Sequence, residues 1–76
     1  MEERIKKRIA DIFNVDIAGI HDNTSQNDIE KWDSLGHLHL VTALEEEFDI
    51  VLNEDQIIEM LNFKLVVEVV KEAVNA

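Results

Sequence analysis

The chain contains no cysteine. That excludes a disulfide framework and any thiolate metal site, and any thiol chemistry at this protein must be borrowed from something attached to it. Proline is absent and glycine occurs twice in 76 residues, at Gly19 and Gly36. Small sheet proteins turn on glycine, proline or Asn-Gly pairs, so the shortage points to helices. Basic residues are scarce, 7 against 17 acidic ones, for a net charge of -10. Such a surface repels nucleic acid and anionic membranes and selects partners that present basic patches. No apolar run approaches the roughly 20 residues of a membrane span. The opening stretch "MEERIKKRIADIF" is charged throughout and lacks the apolar core of a signal peptide. A cytoplasmic monomer without a membrane span is expected.

Apolar residues make up 46% of the chain, too many for a disordered acidic tail, so a compact fold is expected, a single domain over residues 1–76. A chain this short buries only about 60% of its unfolded surface, which leaves no room for a large active-site cavity.

Ile5, Ile9, Ile12 and Phe13 mark one face of a helix from Glu2 to Phe13. The segment from Asn14 to Lys31 has no helical period and a turn-rich centre, and reads as a long loop pinned to the core by Val15, Ile17, Ile20 and Ile29. Asp33 and Ser34 are both good N-cap residues, and Leu35, Leu38, Leu40, Val41, Leu44 and Phe48 carry a second helix to about Asp49. Its last turn holds Glu45, Glu46 and Glu47, where the helix dipole disfavours negative charge. Asn53 and Gln56 have capping-box spacing and open a short third helix, and Asn62 caps a fourth with Phe63, Val66, Val67, Val70 and Val74 on one face. The fold class is all-α, four helices with a long first loop and a short third helix. The core is expected to combine Leu35, Leu40, Leu44 and Phe48 with Ile5, Ile9, Ile12, Phe63, Val66 and Val70.

"WDSLGHLHLVTALEEEF", Trp32 to Phe48, is where chemistry is to be sought. Asp33, Ser34 and His37 suggest a hydrolytic set, because residues three apart share a helix face; the small core and the missing oxyanion hole argue against it, and an ordinary surface role for His37 is the simpler reading. "DNTSQNDIEKWD", Asp22 to Asp33, has the length of a calcium-binding EF-hand loop, but Thr24, Gln26, Asn27 and Asp33 stand where its ligands and its glycine belong. His37 and His39 diverge by about 200° around a helix, so with His21 they make no metal site.

Taken in order, the long loop, Asp33-Ser34-Leu35 opening an amphipathic helix, and "ALEEEFDI" at that helix's end resemble the acyl carrier proteins over essentially the whole chain. The resemblance implies a four-helix bundle that is a carrier and not an enzyme. It shuttles acyl intermediates as thioesters on a 4′-phosphopantetheine arm, derived from coenzyme A and esterified to Ser34. A helix N-terminus suits the phosphate of such an arm, and the arm's thiol supplies what a cysteine-free chain lacks. Asp33, Leu35 and His37 are the expected neighbours of the arm, with His37 one turn on and near its phosphate.

The family pattern also implies a partner surface for the phosphopantetheinyl transferase and for acyl-handling enzymes with basic patches. Here it comprises Gly36, His39, Glu45, Glu46, Glu47, Asp49, Glu54, Asp55 and Glu59. Leu38 and Thr42 match positions bordering a groove for the acyl chain, and a threonine there favours short or polar cargo. Gly36 and His39 replace acidic residues usual in carriers of fatty-acid synthesis, and Trp32 replaces a small residue and covers the junction of loop and helix. These departures suggest a specialised fatty-acid, polyketide or related pathway. Gly36 further suggests the close approach of a partner. A peptidyl or aminoacyl carrier, and a small helical interaction module never modified at Ser34, are the alternatives.

Overall fold

The computed structural model describes residues 1–75. Four helices follow one another: α1 Glu2–Phe13, α2 Ser34–Phe48, α3 Glu54–Glu59 and α4 Phe63–Val74, with a 3-10 turn at Ile17–Gly19 in the first connection. The helical content and all four predicted elements agree with the periodicity of the sequence.

The helix ends show how the chain manages with so little glycine. After α1 the chain turns through Asn14 at φ 55°, and after α2 through Asp49 at φ 53°, both in the left-handed region. Asn and Asp tolerate that region better than other side chains, and here they replace the usual C-terminal glycine. Asn14 returns its N–H to the Ala10 carbonyl, and Asp49 returns its own to Glu45. At α3 the capping box is complete, with Asn53 and Gln56 each accepting from the other's backbone N–H at 2.9 Å.

α1 and α2 run antiparallel. The Arg4 guanidinium lies 4.6 Å above the Phe48 ring and pairs with the Glu47 carboxylate at 2.8 Å, while Phe13 at the other end of α1 lies against Gly36 at the start of α2. Ile5, Ile9 and Phe13 from α1, Leu40 and Leu44 from α2, and Phe63, Val66 and Val70 from α4 form the buried centre. Trp32, 1% exposed, completes it. Burying an aromatic of that kind removes roughly 150–250 Å² from water, worth about 4–6 kcal/mol at ~25 cal/mol per Å².

Three core expectations need correcting. Leu35 is 63% exposed, because the core-facing position of the first α2 turn is Gly36, with Phe13 against it. Ile17 lies on the outside of the 3-10 turn and is exposed; Ile20 and Ile29 are buried and Val15 half-buried, and these three pin the loop. Ile12 and Phe48 pack at the edge of the core rather than within it.

The loop is fixed by polar contacts as well. Thr24 is buried, and its hydroxyl accepts from the His21 N–H at 2.8 Å. The Thr24 and Asp22 carbonyls accept from the Phe63 and Lys64 N–H groups at 2.8 and 3.0 Å, and the Asn62 side chain takes that of Leu65. The loop therefore seals the N-terminus of α4, and an exposed end of that helix is not available to ligands.

Candidate functional site at the start of the second helix

The start of α2 is built differently. Asp33 is the N-cap, its Oδ1 accepting from the Gly36 N–H at 2.8 Å and its carbonyl from the His37 N–H at 2.8 Å. The Ser34 and Leu35 amides, in the first turn, have no carbonyl one turn earlier in the helix to receive them. Ser34 is the first residue of the helix and is exposed. Because Asp33 takes the capping role, the Ser34 hydroxyl is left free for chemistry, beside amides and a dipole end that favour an anion.

His37 has a different place from the one expected. It is half-buried, and its Nδ1 accepts from the Trp32 indole N–H at 2.9 Å. An indole can only donate, so Nδ1 carries no proton and the ring is the Nε2–H tautomer, which donates to the Ile57 carbonyl at 2.9 Å. Both ring nitrogens are thereby committed. His37 is neither a free surface histidine nor a partner for a phosphate on Ser34, and no base faces the serine as a hydrolytic set requires. The two rings are inclined by 16°, and Trp32 stacks on Phe13 with centroids 5.7 Å apart. One chain of contacts therefore links α1, the loop end, α2 and α3.

This link was legible in principle. Trp32 precedes the cap and His37 is the fourth helical residue, the two positions joined by a hydrophobic staple. Here a hydrogen bond between two aromatic rings does the stapling.

The acidic run divides into two kinds of residue. Glu45 is half-buried and its Oε2 accepts from the Leu52 N–H at 2.9 Å, holding the α2–α3 connection; Glu47 is half-buried and committed to Arg4, whose Nε lies 2.9 Å from its carboxylate. These two are structural, which accounts for acid against the helix dipole. Glu46, Asp49, Glu54, Asp55 and Glu59 are exposed, as is His39. Gly36 leaves that surface, because it is buried. A Cβ there would collide with the Lys31 carbonyl and come within 3.0 Å of Phe13, so the close approach is internal and not to a partner.

Leu38 is 56% exposed, and Thr42 is exposed with its hydroxyl donating to the Leu38 carbonyl at 3.1 Å. On α3 and just after it, Ile58 and Leu61 are exposed as well. Among the described residues no group of three or more His, Asp or Glu side chains is placed to hold a metal, and no helix is long and apolar enough to cross a membrane.

Four helices and an exposed, uncapping serine on an open helix N-terminus make an arrangement in which a group attached to the hydroxyl would point into solvent. The comparisons with known proteins agree. Residues 3–70 match the family model described as "Phosphopantetheine attachment site", and the chain belongs to that family. It is 42% identical over 55 residues to the acyl carrier protein of Buchnera aphidicola subsp. Schizaphis graminum (strain Sg), covering 72% of this chain and 70% of that protein. Its fold is similar to the solution NMR structure of holo acyl carrier protein from Geobacter metallireducens, with a TM-score of 0.87 and 24% identity over 97% of this chain and 85% of that one.

The family is one of carriers rather than enzymes, its cofactor is covalently attached phosphopantetheine, and its members meet a phosphopantetheinyl transferase and acyl-handling enzymes. The donor set here fits such a group: an exposed hydroxyl, unsatisfied amides at the same helix end, and a lysine, Lys31, nearby in the chain.

Proposed function

We propose that Ser34 is the attachment point, and that the chain, one carrier domain over residues 1–76, shuttles acyl intermediates in a specialised fatty-acid, polyketide or related acyl-transfer pathway. The observation that carries this is the division of labour at the helix start: Asp33 caps, and Ser34 is exposed and free. In the modification, the Ser34 oxygen bonds to the phosphorus that bears pantetheine in coenzyme A. The bond from that phosphorus to the nucleotide half breaks, adenosine 3′,5′-bisphosphate leaves, and the serine proton passes to a base of the transferase. When attached, the arm supplies a terminal thiol that holds the acyl group as a thioester.

Short or polar cargo is the preferred reading. Thr42 puts a hydroxyl beside Leu38, and the His37 bond to Ile57 ties α2 to α3, so parting these helices around a long chain would break that bond. Glu46, Asp49, Glu54, Asp55 and Glu59 supply a negative face suited to basic patches on successive enzymes, with contacts that are weak, fast and salt-sensitive.

Incubation with coenzyme A and a broad-range phosphopantetheinyl transferase is the test. Intact mass should rise by one phosphopantetheine on the wild type and not on Ser34→Ala. An unchanged wild-type mass would instead favour an unmodified interaction module.

A further inference from the structure

Beside Ser34, on the side of α2 that faces α1, lies a cleft of about 230 Å³. Its apolar wall is Ile12 and Phe13 from the end of α1, with Gly36 behind them; Leu35, Lys31 and His39 line it as well. Asp33 is also a lining residue, but its carboxylate is already engaged with the Gly36 amide. The two residues that flank Ser34 in the chain, Asp33 and Leu35, therefore both line the same cleft.

From this arrangement we infer that the cleft between α1 and the start of α2 seats the proximal part of the arm, with Lys31 as the phosphate-binding residue and Ile12, Phe13 and Leu35 as the seat of the pantoyl gem-dimethyl group. The inference rests on attachment at Ser34.

Three observations support it. Chemical complementarity is the first. The arm begins with an anionic phosphodiester and continues with a branched hydrocarbon, and the cleft is lined by a lysine and a histidine beside an apolar wall. Lys31 enters no salt bridge with the described residues, so its ammonium is available. The second is tethering: a group esterified to Ser34 is confined to the neighbourhood of this cleft, and a modest contact energy suffices when the second binding event is intramolecular. The third is the loss of the obvious competitor. His37, one turn from Ser34, has both ring nitrogens committed to Trp32 and Ile57. Lys31 and His39 are the remaining basic side chains within the segment from Lys31 to His39.

Seating the phosphodiester this way leaves the distal, thiol-bearing half of the arm to extend beyond the cleft. The acyl group is then presented to enzymes while the root of the arm stays ordered. Lys31 acts as a positioning residue and has no part in breaking or making the thioester.

The experiment uses the full chain loaded from coenzyme A whose gem-dimethyl carbons are 13C-labelled, with intact mass recorded first. Isotope-filtered NOE spectra should show the gem-dimethyl protons close to the side-chain protons of Ile12, Phe13 and Leu35. The 31P resonance of the phosphodiester should move in Lys31→Ala, and the NOEs to Ile12 and Phe13 should be lost in Lys31→Glu. Lys31 is exposed, so both variants are expected to keep the amide spectrum of the folded apo chain. His39→Ala should weaken the same NOEs less than Lys31→Glu does. A loaded chain with no NOEs to α1, or with NOEs to Ile58 and Leu61 instead, overturns the inference and leaves attachment at Ser34 intact. A chain that gains no mass overturns the carrier reading, and this inference with it.

Discussion

The indole N–H of Trp32 donates to Nδ1 of His37 across the start of α2, at 2.9 Å. Trp32 is 1% exposed, so this bond removes the one polar group that makes its burial costly. It also fixes the tautomer that lets His37 donate onward to the Ile57 carbonyl. The residues around the serine are thus tied together by contacts in which the serine takes no part.

His37→Ala should leave the indole N–H buried and unpaired and cut the tie to α3. A loss of about 1–3 kcal/mol is expected for the orphaned donor, read from the urea midpoint. Nitrogen-15 ring shifts of the neutral wild-type histidine should report the Nε2–H tautomer. A rapidly exchanging mixture of tautomers would contradict the hydrogen-bond assignment.

The two glycines should respond in opposite directions. Gly36→Ala forces a methyl against the Lys31 carbonyl and the Phe13 ring, and overpacking of that kind costs about 1–3 kcal/mol, more than the roughly 1 kcal/mol gained in helix propensity. At Gly19 an added Cβ meets nothing within 4 Å, so Gly19→Ala should be neutral or stabilise by about 0.4–1 kcal/mol. Thermal melts of the pair decide it.

Capping and attachment should separate by mutation. Asp33→Ala removes the acceptor for the Gly36 amide and should cost about 1 kcal/mol. Ser34→Ala, at an exposed site with no capping bond, should stay within about 0.5 kcal/mol of wild type. Equal losses in the two variants would return the capping role to the serine.

Neighbouring glutamates should also differ. Glu45→Ala removes a charge-assisted bond to the Leu52 amide, worth about 1.5–3 kcal/mol. The Arg4 pair of Glu47 joins side chains 58% and 28% exposed, so screening limits the ion pair itself to about 0.2–1 kcal/mol. Glu46→Gln should be neutral or stabilising, because it relieves repulsion on a chain of net charge -10. For the same reason added salt should raise the melting temperature of the wild type; a midpoint independent of salt would show that self-repulsion is not limiting.

The amino-acid sequence by itself determined the features that depend on near neighbours in the chain. The Asn53–Gln56 box, the Asn62 cap and the four helical faces all follow from residues within a turn or two of one another, where backbone geometry fixes who meets whom; Asp33 and Ser34 were both open as caps of α2 until the structure assigned the role to Asp33. The ordered motifs around Ser34 pointed to the family for the same reason. Tertiary structure alone decided which side of each face is covered. Leu35 was read as core because it fits the helical period, yet at that level the inward position belongs to Gly36, with Phe13 arriving from α1 against it. Glu45 and Glu47 looked like their neighbour Glu46 until the fold brought Leu52 and Arg4 to them, the latter from 43 positions away. His37 looked like a surface residue until Ile57, 20 positions on, supplied a carbonyl. Contacts between distant segments arise from packing of whole helices, and no local pattern of side chains encodes where a neighbouring helix will begin and end.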